Sequence, residues 1–194
     1  MATIFESIKA GDIEAVRAAV NDDPSLAAAR DDDGRSAVRA ALYIHNQKLA
    51  DVLLEAKPEL DVFDAAAVGD VERLTELLDK DADLVGAYSE DGYTPLHFAA
   101  FFDQGKALRL LLDRGADVGA VSKNDMQVQP LHSAVAADSR DVAAALLTAG
   151  ADPNAKQAGG FTPMMGAQQK EKEGDMARLL QDHGAEEAAE APTD

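Results

Sequence analysis

Histidine, aspartate and glutamate are residue types in this chain that could bind a metal ion or transfer protons. There are four histidines, at positions 45, 97, 132 and 183, and no cysteines. The lack of cysteine excludes disulfides, thiolate metal ligands and a cysteine nucleophile. The histidines lie in different parts of the chain at non-equivalent places, so we expect no shared metal site.

The acidic run Asp31-Asp32-Asp33-Gly34 is the second place where chemistry could occur, because carboxylates bind calcium. An EF-hand loop with glycine at its sixth position would need acids at positions 29 and 40 of this chain. Both positions hold alanine. The run is therefore predicted to be a turn and not a calcium site.

Known catalytic motifs give no further candidate. The chain contains no phosphate-binding glycine loop, no dinucleotide-binding fingerprint, no H-E-x-x-H and no G-x-S-x-G. Carboxylates are plentiful, but no spacing singles out a pair for acid–base catalysis. We expect no catalytic residue, no cofactor and no metal, and the chain is predicted not to be an enzyme.

The charge balance restricts the class of partner. The chain has 36 acidic and 18 basic residues and a net charge of −18. This disfavours nucleic acid and anionic membranes, which are bound mainly through Lys and Arg, and it favours a basic partner. The first residues are not typical of a signal peptide and no run approaches a membrane span. We expect a cytoplasmic monomer.

The elements that would position these side chains recur along the sequence. Residues 90–120 contain a turn at Asp91-Gly92, a helix start at Thr94-Pro95, two apolar helices and a stop at Gly115. The same order recurs in 129–152 and in 162–185. Six apolar anchor positions, one for each unit, follow spacings of 34, 24, 34, 35 and 33: Ile4, Val38, Val62, Leu96, Leu131 and Met164.

The T-P-L-H motif at 94–97, together with the recurrence of these anchors, resembles the ankyrin repeat. The resemblance implies an all-α solenoid of stacked helix pairs with short β-hairpin fingers between them. We predict one domain over residues 1–185, followed by an acidic, alanine-rich tail at 186–194. The six repeats are placed at about 1–30, 31–57, 58–88, 89–121, 122–156 and 157–185.

Three departures from the regular pattern carry predictions. The short step between Val38 and Val62 indicates that the finger between repeats 2 and 3 is missing. The first two units are echoed further along the chain at a constant offset, with Phe5 at Phe63 and Gly34 at Gly92, as in a duplicated pair. The fifth unit has Gln127 where the turn glycine would stand, so its finger is predicted to be remodelled.

The resemblance also implies roles for particular residues. Thr94 and His97 are expected to form hydrogen bonds within and between fingers, and His132 is expected to do the same in the next unit. These histidines are therefore interpreted as structural. Each unit alone buries too little apolar surface to fold, so stacking must supply one continuous core.

Ankyrin proteins bind partners through their finger tips and the concave face of their first helices, and the motif places that surface here. A central cluster of apolar side chains is predicted, bordered by acids. Helical spacing alone leaves open whether Phe101 or Phe102 faces the core instead. The predicted partner-binding residues are Arg35, Tyr43, Ile44, Val68, Tyr93, Phe101, Phe102, Val128 and Phe161.

The sequence thus predicts a non-catalytic protein–protein interaction module. One alternative is an acidic inhibitor that competes for a basic, nucleic-acid-binding site on a partner, whose binding would weaken sharply with salt. A second alternative is a small-ligand binder or an enzyme with a carboxylate-lined concavity. That reading requires an enclosed pocket with convergent polar groups.

Overall fold

The computed structural model describes residues 3–170 and 174–187, which form twelve α-helices joined by turns. Three short 3₁₀ segments lie between them, at Pro24–Ala28, Ala82–Gly86 and Ala158–Gly160. The helices are α1 (Ile4–Lys9), α2 (Ile13–Asp22), α3 (Ala37–Tyr43), α4 (Gln47–Glu55), α5 (Val62–Val68), α6 (Val71–Lys80), α7 (Pro95–Phe101), α8 (Gly105–Asp113), α9 (Pro130–Ala137), α10 (Arg140–Thr148), α11 (Pro163–Lys170) and α12 (Asp175–Asp182).

The helices pair and stack in sequence order. Each odd-numbered helix packs on the even-numbered helix that follows it. The odd-numbered helices also contact one another in succession from α1 to α11, and they form an inner layer. Contacts such as those of α2 with α4 and α8 with α10 build the outer layer. The predicted all-α solenoid is confirmed.

The helix starts follow from the sequence. Thr3 and Glu6 form a capping box at the start of α1, in which the Thr3 amide donates to Glu6 Oε2 at 2.6 Å. Asp12, Ser36 and Asp70 each accept from a backbone amide three residues on and begin α2, α3 and α6.

The duplicated pair of units is also present in the structure. The bounds of α6, α7 and α8 are those of α2, α3 and α4, shifted along the chain by one constant offset. The first two 3₁₀ segments are related by the same shift. Gly11 and its counterpart Gly69 both adopt positive φ, 69° and 75°, where the chain turns between two helices.

Alanine in the inner layer and leucine in the outer layer form the core. Ala65, Ala66 and Ala67 of α5 are fully buried, and their small size lets the inner helices approach closely. Leucines of the outer helices fill the space behind them, and Leu49, Leu74 and similar residues have no exposed surface. The core is continuous from α1 to α12.

The fingers are tight turns. The second finger (residues 30–36) closes with Gly34 N donating to Asp31 O at 2.9 Å, and the fourth finger (88–94) closes in the same way from Gly92 to Ser89. Among the described residues no strand forms, and the isolated bridge between Arg30 and Ser36 is all that remains of a hairpin.

Two sequence predictions concern the fingers: that the finger between repeats 2 and 3 is missing, and that the fifth finger is remodelled. The link between α4 and α5, residues 56–61, contains no finger, so the finger between repeats 2 and 3 is missing as predicted. The fifth finger (122–129) holds Gln127 at φ 49°, a left-handed conformation for a non-glycine residue. The fifth finger contacts the fourth through Lys123 N, which donates to Gly92 O at 2.8 Å.

One sequence prediction falls largely outside the described residues. Of the predicted tail at 186–194, only 186 and 187 are described. Glu186 N donates to Asn154 Oδ1 at 2.8 Å and ties this end to the preceding unit.

Candidate functional site

A groove with a cavity of about 520 Å³ lies on the concave side, between the inner helices and the fingers of the last three units. Its floor comes from α7, α9 and α11, and Tyr43 of α3 closes one end. Among the described residues, no carboxylate lines it. The lining residues are Tyr43, Tyr93, His97, Phe98, Phe101, Met126, Val128, His132, Ser133, Val135, Ala136, Gln157, Phe161, Thr162, Pro163, Gly166, Gln169 and Lys170.

The groove contains five of the nine residues that the sequence predicts for partner binding. They are Tyr43, Tyr93, Phe101, Val128 and Phe161. Val128 is only 6% exposed, so it forms the bottom of the groove and presents little surface.

The other four predicted residues lie outside the groove. Ile44 is exposed at the end of α3, and Val68 borders a separate hollow beside Lys57 and Arg73. Phe102 borders another hollow with Leu42 and Ala137, and Arg35 lies on the second finger.

The end of each inner helix explains this division. Tyr43 and Phe101 are the last residues of α3 and α7, and both point along the concave side into the groove. Ile44 and Phe102 are the next residues, where the chain has left the helix and turns toward the outer layer. Phe101 therefore borders both the groove and the adjoining hollow, whereas Phe102 borders only the hollow.

Three aromatic rings form a cluster at the closed end of the groove. The ring centroid of Tyr43 lies 5.9 Å from that of Phe101 and 5.3 Å from that of Phe102, and the two phenylalanine centroids are 5.1 Å apart. All three rings are half-buried, and Phe102 packs against the core. Burial, together with the charge of Asp91, raises the pKa of the Tyr43 phenol well above its usual range.

The third unit is covered by side chains of its neighbours. Tyr43 of α3 and Phe101 of α7 have ring centroids 5.9 Å apart, although α5 lies between these helices in the chain order, and Ala65–Ala67 of α5 are fully buried. At the finger side, Arg39 Nε donates to Asp64 Oδ1 at 2.7 Å, and both side chains are buried. The concave surface available to a partner is therefore concentrated on the last three units.

Met126 is a groove residue that the sequence analysis did not select. It is 54% exposed at the tip of the fifth finger, and Tyr93 Oη donates to its sulfur at 3.6 Å. Ala158 N donates to the Met126 carbonyl at 2.9 Å, which links the fifth and sixth fingers. The sequence signal for this tip is Gln127, the next residue, which stands where the other fingers have their turn glycine.

The two motif histidines lie under the fingers and form unequal hydrogen bonds. His97 accepts from Thr94 N at Nδ1, 3.2 Å away, and its Nε2 donates to Val128 O at 3.0 Å. His132 accepts from Gln129 N at 3.2 Å, but its buried Nε2 forms no hydrogen bond to the described residues.

Burial governs the protonation of both rings. Desolvation lowers the pKa of His97 to about 4, against a small opposing effect of the Val128 carbonyl. Burial likewise lowers the pKa of His132, partly offset by the nearby backbone of Phe161 and Ala155. Both histidines are neutral near pH 7, which suits their structural role.

Neither a metal site nor a membrane-spanning helix is found in the part of the chain that the structure describes. The acidic run 31–33 belongs to a turn, as expected. Asp31 Oδ1 accepts from Asp33 N at 3.1 Å and from Arg35 N at 2.8 Å.

Comparison with known sequences decides the family. Three copies of the ankyrin repeat match residues 62–157. This is an ankyrin repeat protein. Ankyrin repeats are in general non-enzymatic modules for protein–protein interaction.

Several known proteins are similar in sequence to part of this ankyrin repeat protein. Human neurogenic locus notch homolog protein 2 is 35% identical over 108 residues, which cover 55% of this chain and 4% of that protein. Human DNA-binding protein RFXANK is 30% identical over 106 residues, which cover 54% of this chain and 41% of that protein. The "ankyrin repeat, SAM and basic leucine zipper domain-containing protein 1" of Saimiri boliviensis boliviensis is 34% identical over 125 residues, which cover 62% of this chain and 26% of that protein. The chain spans less than half the length of each.

Proposed function

We propose that this ankyrin repeat protein is a non-catalytic interaction module that binds a segment of a partner protein in the groove. The observation that carries the proposal is the 520 Å³ groove, whose described lining includes four half-buried aromatic rings and no carboxylate. Aromatic side chains that keep part of their surface exposed in a concave site supply large contact area on binding. They are the usual anchors of an interface.

The exposed tip of the fifth finger supports this reading. Met126 and Tyr93 line the groove, and Met126, at 54%, is the most exposed of the three exposed large apolar residues in the described part of the chain. The thioether is flexible and polarisable, so it adapts to different contact surfaces. The groove is open to solvent, which favours a peptide segment over a small enclosed substrate.

The test fills the groove without removing any packing. Ala136 is exposed on α9 and lines the groove, so Ala136→Phe places a ring in the space that a ligand would occupy. A phage-displayed peptide library is selected against the unmodified protein, and the selected peptides are synthesised and titrated. We expect Ala136→Phe to weaken their binding at least tenfold, whereas Ala136→Ser binds as the unmodified protein does.

A second comparison separates a lost contact from lost folding. Phe161→Ala removes a half-buried ring from the groove, and Val121→Ala removes a side chain that is 44% exposed outside it. Phe161→Ala should weaken peptide binding and Val121→Ala should not. Selected peptides that bind all four variants equally would refute the groove as the binding site.

A further inference from the structure

The missing finger brings two acidic loops together beside the groove. The second finger carries Asp31, Asp32 and Asp33, and the fourth finger carries Glu90 and Asp91. We call these five residues the acidic tips. With no third finger between them, the fourth finger lies directly against the second.

The contact between the two fingers is close. A methyl group built at Gly34 would lie 1.8 Å from Glu90 Oε2, so the Glu90 side chain rests on the backbone of the second finger. Arg39 connects the same two loops from below, since its Nη2 donates to Gly34 O at 3.3 Å and its Nη1 lies 3.9 Å from Asp91 Oδ1.

The nearby cations offset only part of the charge of the acidic tips. Arg35 lies 3.5 Å from Asp33 and 3.9 Å from Asp31, and the buried Arg39 is held mainly by Asp64. Arg30 pairs with Asp61 at 2.7 Å, outside the acidic tips. Among the described residues, neither Asp32 nor Glu90 forms an ion pair, and both are exposed.

The acidic tips continue directly into the apolar groove. Tyr93 is two residues after Asp91 and lines the groove. On the second finger, the Arg35 guanidinium lies 5.2 Å from the ring centre of Tyr43, which closes the groove at that end. One bound segment can therefore contact both surfaces.

We infer that the partner segment has two parts, a bulky apolar side chain that enters the groove and Lys or Arg residues a short distance along the chain that contact the acidic tips. The inference rests on the proposed function and names its partner class. Since Asp91 and the groove residue Tyr93 are only two residues apart, the two parts are expected close together along the segment. Charge complementarity of this kind raises the association rate and selects the partner.

The test uses the same peptide library, with variants that change charge but not shape. Asp32→Asn, Asp33→Asn and Glu90→Gln together remove three charges from the acidic tips. The matched control removes three exposed charges from the outer helices, Glu14→Gln, Glu72→Gln and Asp113→Asn. Asp31 stays unchanged, because its carboxylate holds the turn of the second finger.

We expect selected peptides to contain a large apolar residue with at least two basic residues close by. The variant of the acidic tips should weaken their binding about tenfold at low salt and reduce the salt dependence of the dissociation constant. The control variant should change the affinity less than twofold.

The possible failures are distinguishable. Selected peptides without enriched Lys or Arg, which bind the variant of the acidic tips normally but lose binding with Ala136→Phe, would overturn this inference and leave the proposed function standing. Peptides that bind Ala136→Phe normally, or a selection that yields no groove-dependent peptide, would overturn both.

Discussion

Arg39 Nε and Asp64 Oδ1 lie 2.7 Å apart inside the protein, with side chains only 2% and 3% exposed. Ser36 Oγ donates to the same carboxylate oxygen at 2.6 Å. The guanidinium also lies 5.0 Å from the ring centre of Phe98. In the fourth unit the corresponding position is His97, which donates to the next finger. In the second unit no finger follows, and the longer arginine reaches the third and fourth units instead.

The first prediction concerns this pair. Arg39→Met should lower the free energy of unfolding by about 3 kcal/mol, because it leaves the buried Asp64 carboxylate with only the half-exposed Arg30, 3.5 Å from its other oxygen. Chemical denaturation followed by circular dichroism measures the change. Arg17→Met is the control, since Arg17 forms an exposed ion pair with Glu55 and should cost less than about 1 kcal/mol.

The double variant Arg39→Met, Asp64→Leu should recover much of the loss, because no unpaired charge then remains. Equal stability of Arg39→Met and Arg17→Met would contradict the proposed bridging role of the pair.

The second prediction compares the two motif histidines. His97→Leu should cost about 1–3 kcal/mol more than His132→Leu, because it leaves the Val128 carbonyl without its donor. His132 Nε2 has no such bond to lose among the described residues. Urea denaturation of the two variants gives the difference. A greater loss for His132→Leu would show that the sixth finger depends on its histidine as strongly as the fifth finger does.

The third prediction is a pH dependence. The pKa of His97 is about 4 in the folded protein and about 6.5 in the unfolded chain, so the unfolded chain takes up the proton first as pH falls. The contribution of His97 is complete above pH 6.5 and is lost between pH 6.5 and 4. Protonation of His97 in the unfolded chain should therefore lower the free energy of unfolding by about 2 kcal/mol at pH 5.

Acidification also relieves repulsion among the many carboxylates, so the contribution of His97 must be isolated by difference. The measurement compares the unmodified protein with His97→Leu at pH 7 and pH 5. The stability gap between them should narrow by about 2 kcal/mol at the lower pH. An unchanged gap would mean that the His97 pKa is not lowered.

The fourth prediction concerns the contact between the fourth and fifth fingers. Gly92 has φ 84°, and a methyl group added there would lie 2.9 Å from the backbone nitrogen of Asn124. Gly115 has φ 87°, but a methyl group there meets nothing within 4 Å. Gly115→Ala should cost about 1 kcal/mol of backbone strain alone. Gly92→Ala should cost more, because the fifth finger must also move. Thermal unfolding compares the two, and equal losses would contradict a close contact.

The sequence could predict the repeat frame because that information is local and periodic. Thr94, Pro95 and His97 specify a helix start and a link to the next finger, and both are present. The short step between the second and third anchors predicted the missing finger. What fills that gap was not predictable, since the pairing of Arg39 with Asp64 depends on side-chain reach between two different units.

The candidate site was predictable in part for a similar reason. Periodicity placed both Phe101 and Phe102 at the concave end of α7, but only the point where the helix ends separates them. Val68 was assigned to the concave face by analogy with its neighbours. In the structure Tyr43 and Phe101 meet above α5, so Val68 borders a different hollow. Contacts between next-nearest units leave no periodic signal.

The measurement that tests the central claim most directly is the map of a bound peptide on the protein. Amide NMR spectra are recorded while a peptide selected from the library is titrated into the protein. We predict that the largest shifts occur at the groove, around Tyr93, Phe101 and Phe161, and that they are absent in Ala136→Phe. Shifts confined to the outer helices α10 and α12, or unchanged by Ala136→Phe, would contradict the claim that the groove is the binding site.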